Sequence, residues 1–248
     1  MRTVQQNEVR FFDHHYGEGA YNPAGWKLRM NREIRHLQRV TRRKSFGRVL
    51  SVGCGDGLFE ILLSSRSSHI TALDISPEAI RIARNNARKN GISNITFTCQ
   101  SISELDCSEQ FDSVICLSFL HHVPPETLEQ FLSDMSKLVA RDGFFYSVEP
   151  NIKGILRRIG KVVMGKSYHE YHSPDEVEMD PAGLSKSLRA AGFSSIEVSH
   201  IHFVLVASLY MFPKAPGFLF YLFYLLDGLC YRSPIARWAS EFSVVARK

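Results

Sequence analysis

The stretch RVLSVGCGDGLFEILL occupies residues 48–63. Its first third is a short apolar run that ends in Gly53. Its last third is apolar and long enough to start a helix. Between them stands Gly53-Cys54-Gly55-Asp56-Gly57. Strand, glycine turn and helix in that order open a βαβ unit. Glycines in such a turn let backbone pass close to a ligand, and N–H groups at a helix start can receive a carboxylate or phosphate. A dinucleotide fingerprint has the spacing G-x-G-x-x-G. Here the spacing is G-x-G-x-G, followed by Leu58, which points away from a nicotinamide enzyme.

Moving outward, residues 68–74 (SHITALD) read as a second strand that ends in Asp74. A carboxylate at that strand end can accept hydrogen bonds from two ribose hydroxyls. Ser76 suits a helix N-cap and Pro77 the first turn; Asn90-Gly91 suits its end. Residues 94–99 and the apolar 112–117 follow as third and fourth strands, and 143–148 as a fifth, opened by a turn at Arg141-Asp142-Gly143. A helix lies between the last two, after Pro124-Pro125. Strands alternating with helices imply a doubly wound parallel sheet. Two late strands, 195–200 and 241–247, bring the total to seven, with a helix at 181–191 before them.

Composition agrees. The chain has 248 residues, 44% of them hydrophobic and 22% charged, which suits one α/β domain with a sizeable core. A net charge of +5 permits an anionic partner without demanding one. The five cysteines are odd in number and lack metal-ligand spacing, so a reduced, cytoplasmic chain is expected. The first 15 residues lack the apolar core of a signal peptide.

Four segments, in order, resemble the motifs of class I S-adenosylmethionine (SAM)-dependent methyltransferases of the ubiquinone-biosynthesis-like and small-molecule type. They are VLSVGCGDG (49–57), ITALDIS (70–76), FDSVICLSFLHHV (111–123) and LVARDGFFYSVEPN (138–151). The resemblance implies a Rossmann-like α/β fold, mostly parallel with an antiparallel last strand. It implies that SAM is the cofactor, with S-adenosylhomocysteine (SAH) as product. The cofactor contacts it implies are Ser51, Gly53, Cys54, Gly55, Gly57, Asp74, Ile75, Ser101, Ile102 and Leu117, with Tyr16 and Tyr21 closing from the N-terminal arm. Two positions depart from the family. Ser51 stands where an acid usually does, and Ser101-Ile102 replaces an acid and a small residue. The alternative reading is a non-catalytic partner subunit on the same fold.

Methyl transfer from a sulfonium is an in-line displacement, so the protein must align the reactants in a dry site. An oxygen acceptor also needs a base. His121, His122 and Glu149 are the candidates, at the ends of the fourth and fifth strands. Tyr168, His169, Tyr171 and His172 follow on a loop. The spacing of His169 and His172 has no carboxylate-rich motif beside it, and no metal is expected. An Asn-Pro-Pro-Tyr-like tetrad is absent, so no nucleic-acid substrate is expected.

The expected organisation is an N-terminal helical arm or lid (1–46), a SAM-binding core (47–200), an apolar insertion (201–240) and a closing strand (241–248). In the arm, Trp26, Met30, Ile34 and Leu37 keep helical spacing. Residues 27–48 hold nine Lys or Arg and one acid, a solvated face or a surface for phosphates and lipid head groups. Residues 201–230 are very apolar, but Pro213 and Pro216 break them and the clean run of 217–226 is too short to span a bilayer. They read as a packed insertion, a lid over an apolar or lipid-like acceptor, or a patch for peripheral contact with a membrane.

Overall fold

The computed structural model describes all residues except 1, 18–22, 106–108, 166–175 and 232, and the side chains of 2–6 and 15–17 are likewise not described. Seven strands form one sheet: β1 (Arg48–Val52), β2 (His69–Asp74), β3 (Ile95–Cys99), β4 (Phe111–Leu117), β5 (Val139–Pro150), β6 (Ser195–Ile201) and β7 (Glu241–Arg247). Their order is β3-β2-β1-β4-β5-β7-β6. β1 to β5 pair in parallel, and β7 runs antiparallel to both neighbours. The doubly wound sheet with its single reversed strand is thus as the sequence predicts. One boundary differs. The expected turn at Arg141-Asp142-Gly143 lies inside β5, which begins at Val139 and meets β4 through an irregular register beside Phe111.

The sheet is covered on both faces. One face carries α2 (Pro23–Thr41), α3 (Leu58–Leu63) and α4 (Pro77–Lys89), whose Leu37, Phe59 and Ile80 pack with Val49 and Tyr146. The other carries α5 (Pro125–Leu138) and α7 (Pro181–Ala190), whose Met135 and Leu188 pack with Leu50 and Phe145. Neighbouring strand residues therefore point into different cores, as a period of two requires. The same alternation puts Ser51 on the Val49 face, beneath α3. Ser76 caps α4 by accepting the Ala79 N–H at 3.0 Å, as its sequence suggests.

The arm is part of the fold. α2 is amphipathic as expected, but its cations are not all solvated. Arg29 and Arg32 are buried. Arg29 pairs with Glu241 at 2.8 Å, and Arg32 with Asp227 at 3.2 Å. Buried guanidinium groups need such partners, so these two serve the interior rather than a phosphate-binding surface. The apolar insertion becomes α8 (Leu205–Met211) and α9 (Gly217–Cys230). Leu205, Leu209 and Phe220 form a small core there with Trp26 and Leu28 of α2. No described helix is long and apolar enough to cross a membrane.

Under α2 lies a buried polar network. His202 Nε2 is 2.8 Å from Glu33 Oε2, and Tyr146 donates its hydroxyl to the same carboxylate. Burial alone would raise the Glu33 pKa, yet its bonds and charge interactions, with His202 foremost, hold it at about 2. Burial alone would lower His202, yet Asp227 and Glu33 lift it to about 9. The Glu33 contribution is present above its ordinary value of 4.5 and is lost as pH falls toward about 2. The His202 contribution is present below 6.5 and is lost as pH rises through about 9. His202→Gln should therefore cost about 3 kcal/mol between pH 5 and 6. Urea unfolding should show that difference shrinking toward pH 9.

Candidate active site

In an open parallel sheet, ligands bind where the strand order reverses, outside the carboxyl ends. Here that point lies between β1 and β4, whose next helices, α3 and α5, cover opposite faces. The glycine turn leaves β1, Asp74 ends β2, Leu117 ends β4, and Glu149 is the penultimate residue of β5. The chain thus gathers four of the predicted segments at one edge.

The glycine turn has left-handed backbone at Gly53, Gly55 and Gly57. At Gly53 an added Cβ would meet the Phe119 ring at 2.4 Å, so glycine is required both for its φ of +75° and for this close approach. Gly55 donates its N–H to Asp74 Oδ2 at 2.8 Å, and Ser76 donates to Asp74 Oδ1 at 2.9 Å. These two bonds tie the turn to the end of β2. They leave further lone pairs on a carboxylate that can accept about four bonds. Burial pushes the Asp74 pKa above the ordinary carboxylate range. Ile75 follows it, and its carbonyl faces the Cys99 thiol.

Beneath the turn, the Ser51 hydroxyl donates to Glu60 Oε1 at 2.6 Å. Glu60 is only 2% exposed. Burial raises its pKa to about 7, and the charges of Asp56 and Asp74 push in the same direction. Cys54 is also buried, which pushes its thiol well up and makes it a packing residue rather than a nucleophile. Leu117 is half-buried against the same core.

Ser101 and Ile102 lie after β3. Ser101 caps a short turn, and its Oγ lies 3.0 Å from that of Ser103. Ile102 packs on the α5 side of the core. Tyr16 falls in α1 (Arg2–Gly17), but its side chain is outside the described residues, as are Tyr21, Tyr168, His169, Tyr171 and His172.

On the β4 side, Glu149 is fully buried and gathers five donors. Phe119 N, Leu120 N and Ser147 Oγ reach Oε1 at 3.4, 3.0 and 2.6 Å. His121 N and Nδ1 reach Oε2 at 3.3 and 2.7 Å. Burial pushes the Glu149 pKa up to about 7 despite these bonds. Burial, then the charges of His122 and Arg157, pushes His121 well below the ordinary imidazole range. His121 is therefore a neutral ring whose Nδ1 faces a carboxylate. For His122, burial disfavours the cation, but the Glu8 hydrogen bond and the charges of Glu176 and Glu149 outweigh it and raise the pKa.

Residues that the sequence reading did not name complete the edge. Glu8 of α1 lies 3.1 Å from His122 Nδ1, and the Phe12 ring packs edge-on against His122. Asp13 accepts the hydroxyl of Ser76 and the Glu78 N–H. α1 thus bridges the start of α4 and the loop after β4. Arg29 donates to Ser118 Oγ at 3.1 Å, where Ser118 carries an unusual positive φ. Ligand atoms of His121, His122 and Glu176 lie within 4.8 Å of one another, and Arg157 also faces Glu176, at 3.8 Å. Only Glu60 left a trace in sequence, as one acid inside the apolar helix LFEILL. The others meet through distant parts of the chain.

Comparison with known proteins gives the family. A family model described as a methyltransferase domain matches residues 49–143. The ubiquinone biosynthesis O-methyltransferase of Xylella fastidiosa strain M23 is 30% identical over 181 residues, spanning 67% of this chain and 70% of that protein. The DhpI–SAH complex superposes with a TM-score of 0.65 at 19% identity, covering 100% of this chain and 98% of that one. Magnesium protoporphyrin IX methyltransferase of Synechocystis PCC 6803, with bound SAH, gives 0.64 at 17% identity over 99% and 100%. The chain belongs to the class I SAM-dependent methyltransferases. It is a transferase whose cofactor is SAM.

Proposed function

We propose that the protein methylates an oxygen of a small, apolar or lipid-like acceptor, with His121 taking the acceptor's proton. The observation that carries this reading is the 2.7 Å contact between His121 Nδ1 and Glu149 Oε2 at the carboxyl edge. Glu149 fixes the ring so that Nδ1 carries the proton and Nε2 is left with its lone pair, the form a general base needs. As the ring becomes an imidazolium, the buried carboxylate beside it offsets the charge. Glu149 also binds the backbone of Phe119, Leu120 and His121, so one side chain both shapes the loop and orients the base. The name O-methyltransferase of the Xylella relative supports an oxygen acceptor.

When bound, the cofactor supplies a methyl group on a positively charged sulfur. Asp74 would hold its ribose, and the turn from Gly53 to Gly57 its methionine end, with Cys54 as packing. Ser51 lies beneath that turn. Ile75, Ser101, Ile102 and Leu117 would line the adenine side. α1 would close over the edge as a lid, carrying Tyr16, and α2 would anchor it. Phe119, packed on Gly53, would exclude water from the transfer path.

The apolar part of the reading rests on two helices. On α9, Phe218 is 71% exposed and Leu229 74%; on α6 (Ile155–Met164), Val162 is 83% exposed. α6 also carries the exposed cations Arg158 and Lys161. Such a face suits an apolar acceptor's approach and peripheral contact with a membrane surface.

Four outcomes test these assignments. Asp74→Ala should weaken SAH binding at least about tenfold, read by calorimetry, because charge-assisted bonds to the ribose are lost. His121→Ala and Glu149→Gln should each lower kcat on the order of 10²- to 10⁴-fold. In the wild type, kcat should fall as pH drops below about 7, where Glu149 gains a proton, and Glu149→Gln should lack that acid limb. Val162→Ser/Phe218→Ser/Leu229→Ser should leave stability within about 0.5 kcal/mol, since all three side chains are exposed. It should raise KM several-fold for an apolar acceptor and not for SAM; an unchanged acceptor KM would sink the apolar reading.

A further inference from the structure

Glu60 poses a problem that the fold alone does not solve. Its Oε1 accepts the Ser51 hydroxyl at 2.6 Å, but its Oε2 is buried and has no hydrogen-bond partner among the described residues. Leaving a carboxyl oxygen buried and unpaired is costly. The charged groups acting on it, Asp56 on the turn and Asp74 at the end of β2, are both negative, and the nearby Cys54 is a neutral thiol. Three carboxyl groups therefore stand around one glycine turn, and the charges that act most on Glu60 among the described residues are both negative. Such a place is stable with a cation supplied from outside. The cofactor brings one, because its methionine end carries an ammonium group.

We propose that the Glu60 carboxylate, held by Ser51, receives the ammonium of the cofactor's methionine end. Ser51 alone offers a neutral hydroxyl, which binds an ammonium weakly. Ser51 and Glu60 together offer a carboxylate oriented by a hydrogen bond, and charge-assisted bonds of this kind are about twice as strong. The acid thus comes from the first turn of α3 rather than from β1. Because the pair lies under the turn and away from the His121–Glu149 pair, Glu60 is a binding residue and takes no proton from the acceptor.

The test compares SAH with 5′-methylthioadenosine, which keeps adenine, ribose and sulfur but has no amino-acid end. Calorimetry on Glu60→Gln should show SAH binding weakened roughly 10- to 100-fold, with 5′-methylthioadenosine changed less than about twofold. Adding Ser51→Asp to Glu60→Gln should recover most of the SAH affinity, by placing the carboxylate on β1. The wild type gives a readout that needs no variant. Its SAH affinity should rise roughly fivefold or more from pH 6 to pH 8, as a carboxyl titrating near 7 becomes ionised. The affinity for 5′-methylthioadenosine should stay flat over that range, since Asp74 and Glu149 would act on both ligands alike. Equal losses of both ligands in Glu60→Gln would make Glu60 a structural residue and overturn the proposal. So would unchanged SAH binding in that variant, or a wild-type pH profile shared by the two ligands.

Discussion

The helices that follow β1 and β4 go to opposite faces of the sheet, and this is the constraint on which the active edge depends. α3 packs on one core and α5 on the other, so no crossover covers the edge between the two strands. That gap gathers the turn from β1, Asp74 from β2, the loop after β4 and Glu149 from β5. Gly53 carries the constraint to atomic detail, since the loop after β4 lays the Phe119 ring directly on it. A side chain at Gly53 would push the two halves of the site apart.

Three carboxyl groups stand at this edge, and their surroundings differ. Glu149 is surrounded by donors on both oxygens and so shapes the loop that carries His121. Asp74 ties the glycine turn to β2 through two backbone N–H groups. Glu60 has one donor and two negative neighbours. All three are pushed up by burial, yet the first two are paired on both oxygens within the fold and the third on one oxygen alone. Glu33 shows the opposite case. His202 and Tyr146 pair it fully, and it stays far below the ordinary range as a structural anion.

Much of this was legible in the residues. Each βαβ unit is a local pattern, written in apolar runs, a cap at Ser76 and glycines at the turns. The seven strands follow from that pattern and its late pair, and the reversed last one from the resemblance to the family. His121, His122 and Glu149 could be named because they end strands that point to the same edge. Other expectations failed where distant segments decide. Arg29 and Arg32 look like a solvated basic stripe on α2, but Glu241 and Asp227 draw them inside. The departure at Ser51 looks like a missing acid when the strand is read alone.

The stretch from residue 48 to 63 shows the division. The sequence by itself determined the strand, the glycine turn, the helix and the kind of ligand site they build, because those depend on neighbours a few residues apart. Only the tertiary structure decided the surroundings of each acid there. Burial, and partners from elsewhere in the chain, set the state of a carboxyl group, and no local pattern encodes them. Ser51 and Glu60 are nine positions apart, yet their contact exists because the pleat turns Ser51 toward the face that α3 covers.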